Sequence, residues 1–187
     1  MSAIESIEGV FAPGGTIARA LPGFEARAGQ VRMSQLIERG FLEGAHTIVE
    51  AGTGVGKSLA YLVPALRSGK KIVVSTATIA LQEQLVRKDI PLVIEALGVP
   101  ARVELLKGRS HYLCVAKLDR LRTERLVAQS GTMEAMWDWA DRTTTGDRGE
   151  LPFAPPGLEW EALDADADDC VGEYCERFRD CWFFKHR

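Results

Sequence analysis

Apolar positions recur at helical spacing over residues 26–39, where Val31, Leu36 and Ile37 fall on one side and Gly40 supplies a stop. The period then changes. His46-Thr47-Ile48-Val49-Glu50 is a short β-prone run that enters a glycine-rich turn, and residues 58–66 return to helical spacing. Lys70 to Ser75 (KKIVVS) is a second β-branched run of the kind found in buried parallel strands, and residues 101–106 form a third candidate. Between these two, Thr78 can cap a helix over residues 79–88 that Pro91 closes off. Strand, loop, helix and strand in alternation predict an α/β fold built on a doubly wound parallel sheet.

The flanks follow different rules. Pro13, Gly14, Gly15, Pro22 and Gly23 crowd residues 11–23 with helix and strand breakers, so 1–23 reads as an extended lead-in. Beyond Gly108 the alternation stops. Residues 116–142 are helical and of mixed charge, 143–149 form a loop, 151–157 (LPFAPPG) are extended, and 159–169 are acidic with room for one short helix. Three parts result: 1–23, an alternating strand–helix part over 24–108, and a second, mostly helical unit over 109–187. There is no internal repeat. No apolar run approaches the roughly 20 residues that span a bilayer, and the acidic N-terminus lacks signal-peptide character, which points to a cytoplasmic protein without a membrane partner. The net charge of −3 neither requires nor forbids nucleic acid.

The turn after Glu50 carries chemistry. Ala51-Gly52-Thr53-Gly54-Val55-Gly56-Lys57-Ser58 fits the phosphate-binding pattern G-x-x-x-x-G-K-[ST], with Ala51 in place of the first glycine. Small residues let successive backbone N–H groups curl around a phosphate, and the following helix aims its positive end at the anion. Lys57 then neutralises the β/γ charge and Ser58 ligates Mg²⁺, so ATP with Mg²⁺ is the expected ligand. The loop alone does not choose among kinases, GTPases and motor ATPases.

Four cysteines are present: Cys114 stands apart, and Cys170, Cys175 and Cys181 follow as C-x4-C-x5-C. In a reducing compartment such a set binds metal or does redox chemistry more readily than it forms disulfides. The spacing fits a zinc finger poorly, because those bring ligands in close pairs, and it leaves zinc and an iron–sulfur cluster both open.

The residues around the loop resemble the DinG/XPD group of superfamily 2 iron–sulfur DNA helicases, in its DinG branch. Phe24 to Met33 (FEARAGQVRM) is similar to that group's Q-motif, which implies that Gln30 reads the adenine edge with Arg27 assisting. An amide suits that edge because it donates and accepts at once. Residues 50–66 (EAGTGVGKSLAYLVPAL) continue the likeness, and 75–85 (STATIALQEQL) resemble motif Ia, which implies backbone contacts to single-stranded DNA from Ser75, Thr76 and Thr78. Lys107 to Cys114 (KGRSHYLC) looks like the family's KGRxNYxC entry into its iron–sulfur domain, with His111 in place of asparagine. The resemblance therefore implies a 4Fe–4S cluster on Cys114, Cys170, Cys175 and Cys181, shielded by Tyr174 and Trp182. It implies a RecA-like fold and an ATP-dependent helicase moving 5′ to 3′ in DNA repair or replication, with single-stranded DNA and replication or repair proteins as partners. Arg177, Arg179, Lys185 and Arg187, interleaved with Phe178, Phe183 and Phe184, suit either a DNA strand or a solvated face. No DEAH-like strand end and no second motor lobe are found, so the chain reads as an N-terminal fragment. Two other readings remain: a non-helicase P-loop ATPase with a zinc-binding four-cysteine module, and a non-enzymatic module that binds DNA ends.

Overall fold

The computed structural model describes residues 5–124 and 131–186. They divide into two compact units, one ending at Val103 and the other beginning at Glu104, ahead of the Gly108 boundary that composition suggests.

The first unit opens with structure where breakers predict an extended lead-in. Helix α1 (Ile7–Phe11) and helix α2 (Thr16–Ala20) flank a tight turn, and Ile7, Val10, Phe11 and Ile17 are each at most 2% exposed. Pro13, Gly14 and Gly15 therefore break the chain only locally, while the i, i+3, i+4 spacing of Ile7, Val10 and Phe11 builds an apolar face. Ser6 caps α1 by accepting from the Gly9 N–H at 3.2 Å. Burial of each such side chain contributes about 1.5–3 kcal/mol, enough to override the breakers around them. Helix α3 (Ala28–Glu43) runs past Gly40 and ends at Gly44, whose φ of 67° is the left-handed C-terminal cap. Gly40 is instead a contact residue: a Cβ there would lie 2.5 Å from the Thr47 hydroxyl.

Helix α4 (Lys57–Arg67) follows the glycine-rich turn. Helix α5 (Ile79–Gln84), capped by the Thr78 hydroxyl, widens into a π-helical turn (Leu85–Asp89) before helix α6 (Ile90–Leu97). Pro91 does not end this run. Lacking an N–H, it sits at the head of α6, and Ile90 donates five residues back to the Leu85 carbonyl, the longer register that defines a π turn. Leu62, Val63, Leu85, Ile90 and Val93 complete a core shared with α1 and α2.

The three β-prone runs form no strand among the described residues, where the sequence pattern predicts a parallel sheet. Ile48 is 100% exposed and Val73 86%. A parallel strand needs ladder partners beside it, and these segments have none among the described residues.

The second unit is built on helices α7 (Val115–Glu124), α8 (Gly131–Ala140), α9 (Gly157–Glu161) and α10 (Trp182–Lys185), with 3₁₀ turns at Arg109–His111, Arg148–Glu150, Gly172–Tyr174 and Phe178–Asp180. Its core gathers Leu113, Leu118, Met133, Met136, Trp139, Trp160 and Leu163. Residues 112–114 thread through it and are held on both sides: Leu113 donates to the Gly146 carbonyl, Cys114 to that of Leu163, and Ala165 to that of Tyr112. Among the described residues no helix is long and apolar enough to cross a membrane.

Candidate functional site

The glycine-rich turn has the backbone that phosphate binding requires. Gly54 and Gly56 adopt φ of 78° and 83°, a region that side chains with a Cβ rarely enter, and nothing lies within 4 Å of where a Gly52 Cβ would be. The loop is thus open over Gly52 and bent back at Gly54 and Gly56. Its last residue is the N-cap of the 11-residue α4, so the helix's unsatisfied N–H groups face the turn. Lys57 folds over the loop and donates to the carbonyls of Ala51 at 2.9 Å and Gly52 at 2.7 Å. The ammonium is therefore held above the concavity, and the residues present fit a phosphate chain. Ser58, the second residue of α4, is hydrogen-bonded to the phenol of Tyr61, whose pKa burial pushes up and this bond pulls down. Periodicity alone gives no sign of Tyr61.

Arg27 and Gln30 both reach this loop. The Arg27 guanidinium lies 3.9 Å from the position of a Gly54 Cβ and pairs loosely with Glu25 at 3.8 Å. Gln30 is 2% exposed, and its Nε2 donates to the Gly56 carbonyl at 3.0 Å.

The residues expected to meet DNA lie at the end of the second β-prone run and just beyond it. Ser75 and Thr78 are exposed and Thr76 is half-buried. The Thr78 hydroxyl accepts from the Leu81 N–H at 3.3 Å, so it is committed first to capping α5. Thr78→Ala is expected to cost about 1 kcal/mol through loss of this cap, read as a lower urea midpoint, whereas Thr78→Ser keeps the hydroxyl and the stability.

All four cysteines are free thiols of intermediate exposure in the second unit. Among the described residues no three Cys, His, Asp or Glu side chains converge as a metal-binding group. In this conformation the four thiols do not form a cluster site. Burial raises the Cys114 pKa, against which the N–H groups of Lys117 and Ala116 at the head of α7 and the Lys117 charge pull it down; Cys175 adds a repulsion. Tyr174, expected as a shield, is 85% exposed. Trp182 instead packs on the turn at Gly146, where a Cβ would come within 2.1 Å of its ring.

The acidic stretch finds its purpose here. Lys117 donates to the Glu161 carbonyl at 3.3 Å and pairs with Asp164 at 3.4 Å and Asp169 at 3.2 Å, so two carboxylates neutralise one nearly buried ammonium. Burial raises the Asp164 pKa despite that ammonium. The basic and aromatic C-terminal segment is likewise engaged internally. Arg177 pairs with Asp119 at 3.1 Å, Lys185 lies 4.4 Å from the Trp182 ring centre, and Arg109 lies 4.8 Å from that of Phe183. These contacts favour a charged face over a small aromatic core; Arg187 lies outside the described residues.

Known proteins share this loop and its surroundings. Residues 30–147 match the family model described as DEAD/DEAH box helicase. The chain is 39% identical over 184 residues to the ATP-dependent DNA helicase YoaA of Escherichia coli, an alignment covering 95% of this chain and 28% of that protein. It is 38% identical over 180 residues to the ATP-dependent helicase DinG of Mycobacterium tuberculosis, covering 83% of this chain and 27% of the relative. It is 34% identical over 159 residues to the 3′-5′ exonuclease DinG of Bacillus subtilis, covering 81% and 17%. The chain thus spans between a sixth and a third of the length of these curated relatives.

Proposed function

The chain belongs to the DEAD/DEAH box helicase family, and from that premise we propose that it supplies the nucleotide-gripping part of an ATP-dependent DNA helicase of the DinG type. The observation that carries this reading is the loop itself, with Lys57 held over carbonyls 51 and 52 at the head of α4 and two glycines at positive φ behind it. Such a loop binds the β- and γ-phosphates of ATP, with Ser58 placed to meet Mg²⁺. The family implies a RecA-like sheet, and the three exposed β-prone runs are the segments with the composition to enter one.

The finer reading has the motor move 5′ to 3′ on single-stranded DNA during repair or replication, with Ser75, Thr76 and Thr78 touching the DNA backbone. Unwinding by the intact protein on substrates with a 5′ or a 3′ single-stranded tail tests direction. Activity confined to the 3′-tailed substrate would overturn it.

A 4Fe–4S cluster on Cys114, Cys170, Cys175 and Cys181 is the remaining part of the proposal. It is supported by four free thiols in one unit and by the KGRSHYLC segment, and it requires the thiols to draw closer than they stand here. Anaerobic purification is expected to give a brown protein containing iron and sulfide. A colourless protein carrying zinc without iron would assign the cysteines to a zinc module and leave the loop reading untouched.

A further inference from the structure

We infer that Asp169 is a tether for the four-cysteine site: its carboxylate, clasped by Lys117, holds the chain entering Cys170 to the head of α7, where Cys114 lies. The inference rests on the reading of these cysteines as metal ligands and names a residue that positions them. Four thiols in one unit are a donor set for a soft metal, although no three stand together among the described residues. Cys114 immediately precedes α7, and its sulfur accepts from the N–H groups of Ala116 and Lys117. It sits in a fixed frame. Its own N–H donates to the Leu163 carbonyl at 2.7 Å, and Leu113 is bridged antiparallel to Asp164. Cys170 has no such frame: it lies outside the helices of the unit, and the neighbouring turn Gly172–Tyr174 contains no buried residue.

The acidic stretch joins the two. Lys117 Nζ lies 3.4 Å from Asp164 Oδ1, and these side chains are 14% and 8% exposed. One carboxylate neutralises the ammonium, so charge balance does not call for a second. Asp169 nevertheless reaches the same Nζ at 3.2 Å while remaining 69% exposed itself. The Asp166 carboxylate accepts from the Asp168 N–H at 2.9 Å, a turn that bends the chain back towards Lys117. One residue therefore touches both sides: the Lys117 N–H meets the Cys114 sulfur, and its ammonium meets the residue before Cys170. The pair with Asp164 belongs to the fold, whereas an ion pair as exposed as that of Asp169 adds little to global stability. Asp169 instead limits where Cys170 can go, which lowers the ordering cost of gathering thiolates around a metal.

Asp169→Asn removes the tether and leaves the Lys117–Asp164 pair intact, Asp169→Glu keeps a carboxylate, and Asp168→Asn removes the same charge one residue away. Both aspartates are exposed, so neither substitution threatens folding. Backbone hydrogen exchange over residues 165–171 in the reduced, metal-free chain decides whether the tether exists. Asp169→Asn is expected to exchange there about two- to fivefold faster than the unaltered chain, the range that an exposed ion pair supports. Unchanged exchange would overturn the tether. Anaerobic titration with Co²⁺, followed through its thiolate charge-transfer absorption, decides what the tether does. Asp169→Asn is expected to weaken Co²⁺ binding about two- to fivefold, with Asp169→Glu restoring most of it and Asp168→Asn leaving it unchanged. An equal loss for Asp168→Asn would reduce the effect to general attraction of a cation by acidic residues and overturn the positioning role, as would undiminished binding by Asp169→Asn. If the unaltered chain gave no thiolate band with Co²⁺, the metal reading of the cysteines would fall, while faster exchange in Asp169→Asn would still uphold the tether.

Discussion

Lys57→Ala is expected to weaken ADP binding by this chain about ten- to hundredfold, the worth of one charge-assisted hydrogen bond to phosphate, and to abolish DNA-stimulated ATP hydrolysis by the intact protein. The substitution should do so without unfolding anything. Lys57 is exposed, and its two acceptors, the Ala51 and Gly52 carbonyls, belong to a loop open to water that can replace the ammonium. Exposed polar contacts of this kind change stability by about 0.5 kcal/mol or less. Binding and folding therefore separate cleanly at this position, as they would not at a buried one. Lys57→Arg keeps the charge but presents a planar fork in place of a point charge, so it is expected to recover only part of the affinity. Calorimetric titration with ADP checks both variants, and undiminished binding by Lys57→Ala would remove Lys57 from the site.

What the sequence discloses here follows the range of the forces involved. The loop from Ala51 to Ser58 is legible because its chemistry is local: glycines for backbone bends, a lysine at the helix head, a hydroxyl beside it. Thr78 as the cap of α5 is legible for the same reason, since the hydroxyl and the Leu81 N–H are three residues apart. The helices of the lead-in are not legible, because Pro13, Gly14 and Gly15 are strong local signals, whereas the burial of Ile7 and Phe11 depends on Leu62 and Val93, far along the chain. The β-prone runs carry the right composition, but a sheet is a property of partners, and none pairs with them among the described residues. Gln30 is the most instructive residue. Its type suggests a polar face turned to a ligand, and only the fold reveals that its amide nitrogen donates to the Gly56 carbonyl. The acidic stretch likewise has no rationale as a DNA-facing surface; its rationale is Lys117, held between Asp164 and Asp169.

The largest stability effect is expected at a buried ion pair in the second unit. Lys107 Nζ lies 2.6 Å from Asp147 Oδ2, with the lysine side chain 3% exposed and the aspartate 16%. Asp147 also accepts from the Gly149 N–H at 2.8 Å, capping the turn Arg148–Glu150, and Lys107 donates its backbone N–H to the Tyr112 hydroxyl at 3.0 Å. Asp147→Ala removes the carboxylate that pairs with a buried ammonium and also removes the cap, so it is expected to destabilise the second unit by about 3–5 kcal/mol. Asp147→Asn keeps an acceptor for both groups and loses only the charge, for about 1–3 kcal/mol. Lys107→Met should cost less than Asp147→Ala, because the orphaned carboxylate has some access to water where the ammonium has almost none. The readout is specific: Trp137, Trp139, Trp160 and Trp182 are the chain's four tryptophans and all lie in the second unit. Urea melts followed by tryptophan fluorescence therefore report on that unit alone. Because the pair is buried, added salt should leave the Asp147→Ala difference unchanged. A difference that collapsed in high salt, or an order with Lys107→Met the most damaging, would show that the pair is solvated and contributes little to the fold.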